Sequence, residues 1–339
     1  MAVWRNVHAC SVYRGMVGGC ELGVEIRVDV YSSSHMIRIL GTIFAGLMGL
    51  AFGSFLNVCL SRWPAGESVV KPRSHCRNCD HSLAWWENVP LVSWVMLRGR
   101  CRKCGTAIGW RYPLVELAVG VLWALSFWNL SENLLQPGFV SIFQYNILIF
   151  ILFQAVLYWI LVALSVLDAE HLWLPDAITF PGIALGLVAT LYRFVLPWNF
   201  HSSQNPPSIN WQEVQRHLLF SYAIHRLLAM LAAAALILLI RWIYKLVRKR
   251  EGMGLGDAKL MAMLAAWLGL PGALLAFGLG AILGSVVALV LLLVPAARRG
   301  SETWAGSKLP FGTFLCAGGI VSSLWGQSMI AAYLRWAGF

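Results

Sequence analysis

The chain has 339 residues, of which 59% are hydrophobic and only 12% are charged, with a mean hydropathy of +0.68. A soluble domain averages about 45–50% apolar and about 25% charged, so a large soluble enzyme is excluded. In so apolar a chain a net charge of +11 points to basic loops beside a membrane, not to a nucleic-acid partner.

Residues 1–35 carry charges of both signs and no continuous apolar core, so they do not read as a signal peptide. Met36 stands directly before the first long apolar run. Residues 1–35 are therefore expected to be a doubtful N-terminal extension, with translation starting at Met36. A membrane-crossing helix needs about 20 mostly apolar residues. Eight stretches qualify or nearly so, at 37–60, 113–133, 139–166, 176–196, 222–244, 257–270, 271–295 and 311–334. The sixth is short and runs into the seventh through "LGLPG". The expected fold is an all-α polytopic membrane protein of about eight spans, with a small zinc-ribbon-like cytoplasmic loop.

That loop, 61–112, holds nine basic residues (Arg62, Lys71, Arg73, Arg77, Arg98, Arg100, Arg102, Lys103 and Arg111) against three acids. The loop after the fifth span holds Arg241, Lys245, Arg248, Lys249 and Arg250, and the loop after the seventh holds Arg298, Arg299 and Lys308. The loops at 131–138 and 197–215 carry no Lys or Arg. With eight spans every basic loop falls on one side, which the positive-inside rule makes cytoplasmic. The stretch 212–226 reads as an amphipathic lead-in on the opposite surface.

The first loop also contains "HCRNC" and "CRKC", which place Cys76, Cys79, Cys101 and Cys104 as two C-x2-C pairs separated by 21 residues. This spacing is close to a zinc ribbon. Four thiolates around Zn2+ fix a loop too small for its own core and leave no open position for catalysis. A cytoplasmic location disfavours disulfides. His75 and His81 are read as bystanders, Cys59 and Cys316 as buried thiols.

Two acids stand at the same face. Asp168 lies in "LDAEHLWLP" between the third and fourth spans, and Asp257 follows three alternating glycines in "EGMGLGDAKL". An acid at a membrane boundary is a functional-site candidate, although a helix cap or interfacial anchor is the competing explanation for either alone. Asp257 opens a helix, where the dipole favours an anion; Asp168 closes one, where it does not. Gly252, Gly254 and Gly256 lack Cβ and allow a peptide strand to lie against that loop. Two adjacent carboxylates share a proton, so one can activate water while the other protonates a scissile carbonyl. That is aspartic-protease chemistry.

The ordered motifs resemble the prepilin peptidases, the bifunctional leader peptidases and N-methyltransferases of type IV pilus and type II secretion systems. The resemblance covers about residues 36–335. It rests on "GSFLNVCLSRWP" (53–64), the four-cysteine loop, "NVPLVSWVMLRGRCRKC" (88–104), "RYPLVELAVG" (111–120), "LDAEHLWLPDAITFPG" (167–182), "GMGLGDAKL" (252–260) and "LPFGTFL" (309–315). It departs at Arg77, often proline in the family, and at Glu87-Asn88, usually Asp-Asn there. It implies catalytic aspartates at Asp168 and Asp257, with Asp176 of "LPD" as a confounder read as a helix cap. It further implies cleavage of the basic leader of prepilins or pseudopilins after a glycine, at the cytoplasmic face of a bacterial inner membrane. Methylation of the new N-terminus from S-adenosylmethionine is implied by resemblance alone, since no G-x-G-x-x-G follows a strand. Asn57, Arg62, Glu87, Asn88, Arg111 and Glu116 are the polar residues to examine for it. The resemblance divides the chain into a methyltransferase-associated region, 36–135, and a transmembrane peptidase region, 136–339. A substrate helix is expected to pack among Gly278, Gly280 and Gly284. The alternatives are a peptidase without methyltransferase activity, or a zinc-ribbon membrane transporter, whose acids belong near the midplane.

Overall fold

The computed structural model describes residues 19–134, 141–201, 211–249, 254–293 and 309–338. Cys10, Arg250, Gly252, Arg298, Arg299, Lys308 and, within the two weakly charged loops, 135–138 and 202–210 lie outside the described residues. Among the described residues eight α-helices follow in order: α1 Gly19–Arg62, α2 Val92–Met96, α3 Arg111–Leu134, α4 Ser141–His171, α5 Asp176–His201, α6 Trp211–Arg248, α7 Leu255–Leu293 and α8 Phe311–Trp336. Six of them are long and apolar enough to cross a membrane, and α5 is apolar over 176–192. The multi-pass all-helical architecture is as expected. The 212–226 lead-in is continuous with α6.

The apolar part of α7 covers 37 residues, about 55 Å if straight, against a hydrocarbon core of about 30 Å. It does not run straight. At Gly269 the backbone takes φ 75° and ψ 176°, a region that only glycine occupies readily, and Pro271 follows. The packing register then reverses. Before the break, Met263 and Trp267 lie against Gly182 and Gly186 of α5, and Leu264 lies against Gly319 of α8. After it, Gly272, Ala276, Gly280 and Gly284 meet Ser322, Gly318, Leu315 and Phe314 in turn. Thus α7 folds back on itself, and its halves correspond to the short sixth and the seventh expected spans. Arg226 of α6 closes the turn, donating to the carbonyl of Ala265 at 3.5 Å and to the Tyr222 hydroxyl at 2.7 Å.

Two apolar clusters join the helices. Leu56, Leu60, Val115, Val119, Tyr158, Val162 and Leu167 join α1, α3 and α4. Leu157, Leu161, Leu164, Ile237, Leu260, Met261, Leu264 and Leu315 join α4, α6, α7 and α8. The pairing of α1 with α3 is close enough that a Cβ on Gly49 or Gly53 would approach the opposite backbone to 2.8 Å, the small-residue packing expected in lipid. Cross-helix contacts Arg111–Glu170, Asp168–Thr313 and Lys259–Asp176 bring the end of α4 and the starts of α3, α5, α7 and α8 to one end of the bundle.

Candidate active site

Asp168 lies in the last turn of α4, 6% exposed. The helix stops just beyond it: Leu172 turns left-handed (φ 51°) and donates its N–H to the Asp168 carbonyl at 2.9 Å. The side chain reaches across to α8. Its Oδ2 accepts the N–H of Thr313 at 2.7 Å, with the Thr313 hydroxyl at 3.3 Å; that hydroxyl also donates to the Ser165 carbonyl at 2.9 Å. Thr313 is in the first turn of α8, whose own N-cap, Pro310, makes no side-chain capping bond. Asp168 therefore caps another helix, satisfying one of the amides every helix N-terminus leaves open.

Asp257 is in the first turn of α7, 7% exposed, and its Oδ2 accepts the N–H of Gly254 at 3.1 Å. This is half of a capping box. The two carboxylates lie within range of each other's charge, with the fully buried Cys316 in range of both. Leu174, from the turn between α4 and α5, packs beside the glycines next to both. A Cβ on Gly256 would meet Leu174 at 3.0 Å, and a Cβ on Gly312 would meet Asp168 Oδ2 at 2.9 Å and Leu174 at 3.1 Å. Gly254 sits beside Asp257, while Gly252 is outside the described residues. Asp176 opens α5 and pairs with Lys259 at 2.5 Å, more than half exposed.

The four cysteines converge as their spacing requires. Their sulfurs all lie within 4.8 Å of one another, with Cys76–Cys104 at 3.8 Å and Cys79–Cys101 at 4.0 Å. A tetrahedron of sulfurs about 2.3 Å from one ion has edges of about 3.8 Å, so the cluster fits a metal such as zinc. Two matching turns deliver the thiols. Cys76 and Cys101 donate N–H groups to His81 and Thr106, and accept from Asp80 and Gly105; both turn residues are left-handed. The Thr106 hydroxyl and N–H, then the Asn78 side chain, lower the Cys104 thiol. His75 and His81 are outside the cluster, and His81 faces Glu87 at 3.4 Å.

Against this loop, α1 and α3 enclose a cavity of about 790 Å³ lined by Asn57, Glu87, Asn88, Trp94, Tyr112 and Glu116, among others. Asn57 Oδ1 and Glu87 Oε1 are buried without a hydrogen-bond partner. Arg62 also lines the cavity, its guanidinium bonded to the Ser68 and Pro72 carbonyls at 2.7 Å. Arg111 does not line it. It turns outward to Glu170 at 2.7 Å and to the Ser61 hydroxyl at 2.8 Å.

Three contributors were not singled out from sequence: Thr313, Gly312 and Leu174. The first two lie in "LPFGTFL", a noted motif whose residues had no role until α8 was placed beside Asp168. Gly280 and Gly284, expected to receive a substrate helix, already pack on α8; only Gly278 has open space.

Residues 47–130 match the bacterial peptidase A24 N-terminal domain, and residues 155–289 match the type IV leader peptidase family. A prepilin leader peptidase/N-methyltransferase of Stutzerimonas stutzeri is 33% identical, covering 86% of this chain and 93% of that protein. The protein of the same name from Pseudomonas aeruginosa is 32% identical over 92% of this chain and 99% of its own length. That of Xanthomonas campestris is 31% identical over 88% and 96%. No solved structure matches.

Proposed function

The chain belongs to the type IV leader peptidase family, and from that membership we propose that it removes the basic leader of type IV prepilins or type II secretion pseudopilins and methylates the new N-terminus. Asp168 and Asp257 are the acids of the peptidase. The observation that supports this reading most is their convergence, each buried and each held through Oδ2 by the N-terminus of a helix. We take Oδ1 of each as the oxygen that meets water and substrate. One carboxylate takes a proton from water as the water oxygen attacks the scissile carbonyl, while the other, protonated, gives its proton to the carbonyl oxygen; as the diol collapses, the first passes its proton to the leaving amine and the second takes back the hydroxyl proton. Both acids sit at one end of the bundle, which suits a substrate whose cleavage point lies at a membrane surface and does not suit a midplane transport site. The basic loops support a cytoplasmic face for that end, and membership of the family supports the bacterial inner membrane.

Residues 36–135 form the methyltransferase-associated region and 136–339 the peptidase region. We assign zinc to the four cysteines as a structural ion, which fixes the loop over the cavity. The cavity falls within the volume range of ligand pockets. Its buried acceptors on Asn57 and Glu87, with Asn88 and Glu116, would hold S-adenosylmethionine through its ammonium and adenine amine. When bound, that cofactor supplies an electrophilic methyl group; the residues orient it and exclude water.

The test is purified protein with one prepilin and S-adenosylmethionine, read by intact mass. Wild type should yield a shortened, methylated product. Asp168→Ala and Asp257→Ala should each leave the prepilin uncut while a pre-cleaved pilin is still methylated. Cleavage surviving both substitutions would sink the dyad.

A further inference from the structure

The four-cysteine loop is not a purely aqueous appendage. Its short helix α2 presents Val92, Val95 and Met96 on one face, the last 73% exposed. Trp94, on the same helix, stacks on Trp110 with ring centroids 4.3 Å apart, and its indole N–H donates to the Ile108 carbonyl at 3.2 Å. Trp110 is itself 69% exposed. These side chains form a patch of the kind that marks an interaction surface.

Two observations say what covers it. The first is continuity. Trp110 immediately precedes α3, and Leu114 and Leu117 continue the exposed apolar surface along that membrane-crossing helix. On the other flank, a groove of about 520 Å³ runs between Phe55 and Val58 of α1 and Val70 and Trp85 of the loop, with Arg73 also in its wall. Phe55 belongs to the exposed apolar surface of α1. The patch thus runs into exposed helix surface along α3, and Trp85 of the same loop adjoins the exposed surface of α1. The second is charge. Arg98 and Arg100 follow α2 directly and are exposed, and the loop carries nine basic residues against three acids. Tryptophan beside arginine is the composition of a membrane interface facing anionic headgroups.

We propose that the four-cysteine loop is docked on the bilayer, with Trp85, Val95, Met96 and Trp110 in the headgroup–acyl boundary and the arginines on anionic phosphates. The metal then fixes the patch in shape, and the bilayer fixes the loop over the cavity. This rests on α1 and α3 crossing the membrane and not on the chemistry assigned above.

The test places p-acetylphenylalanine at Val95 of the full chain, attaches a ketone-directed nitroxide that leaves the thiols untouched, and reconstitutes the protein in phosphatidylethanolamine/phosphatidylglycerol vesicles. Collision with oxygen should exceed collision with a water-soluble nickel chelate several-fold, and a probe at Met96 should agree. Preferred collision with the chelate at both positions overturns the proposal. So does exclusion of both quenchers, which would place the patch against protein. Because prepilin cleavage is measured separately on the same vesicles, failure here is distinguishable from failure of the peptidase assignment.

Discussion

Replacing Gly312 by alanine tests the geometry of the proposed dyad without touching either acid. The new methyl carbon would lie 2.9 Å from Asp168 Oδ2, 3.0 Å from its Cγ and 3.1 Å from Leu174 Cδ1. Ordinary contact begins near 3.4 Å, so the carboxylate must retreat by the difference, 3.4 − 2.9, or about 0.5 Å. It cannot retreat freely, because Oδ2 is held at 2.7 Å by the Thr313 amide, one residue beyond the new methyl. Either that bond stretches past 3 Å or the start of α8 shifts. A hydrogen bond to a charged group contributes about 1.5–3 kcal/mol, and a 1 Å displacement of a reacting group costs about 100-fold. Gly312→Ala should therefore slow prepilin cleavage by about 10- to 100-fold, in kcat more than in KM. Methylation of a pre-cleaved pilin should be unchanged, since the larger cavity lies across α1 and α3. The assay is a time course of leader loss by mass spectrometry, with thermal unfolding in detergent as the check on folding. A variant that cleaves at the wild-type rate would refute the placement of Asp168 against α8.

Thr313→Val keeps the backbone donor and removes only the hydroxyl at 3.3 Å, so its loss should stay below about tenfold, roughly 1 kcal/mol, in the same cleavage assay. Gly318→Ala should destabilise the fold outright, because its Cβ would stand 2.2 Å from the Ala276 carbonyl oxygen; melting temperature and detergent-soluble yield report it. The cysteine cluster should hold one zinc ion per chain by elemental analysis, and Cys101→Ser should lose it. Because zinc binds thiolates, protons compete with it for the four sulfurs. Zinc content should therefore fall in acid, and retention in strong acid would contradict thiolate ligation. Glu116→Gln should lower methylation far more than cleavage, measured on one sample by intact mass.

Much of this was legible in the sequence because the signals are local. Apolar runs gave the helices, and two C-x2-C pairs gave the cluster. The turn within α7 was visible only as a short sixth span running into "LGLPG"; what settles it is the exchange of neighbours on either side of Gly269. The cavity was legible only in part. Of the polar residues singled out in and around the first loop, Asn57, Arg62, Glu87, Asn88 and Glu116 line it, but Arg111 turns away, because Glu170, 59 positions later, offers an opposite charge at 2.7 Å. No periodicity encodes a partner that distant. Gly280 and Gly284 show the same limit: small residues announce close helix packing, yet not whether the partner is a substrate or α8.

Asp168 shows most clearly why a cap and a catalytic acid are not exclusive alternatives. From sequence it closes α4, where the helix dipole disfavours a carboxylate, while Asp257 opens α7, where the dipole favours one. The fold removes that asymmetry by bringing in α8, whose first-turn amide bonds Asp168. Each acid then faces the positive end of a helix, one its own and one borrowed. Two acids buried side by side would otherwise be costly, and a lone pair of caps would have no reason to converge. Placing both beneath helix N-termini offsets part of that cost with fixed backbone dipoles, which need no reorganisation as charge moves during peptide hydrolysis. It also pins Oδ2 of each acid. The glycines follow from the same arrangement: Gly256 and Gly312 are small because Leu174 and Asp168 occupy the space their side chains would need.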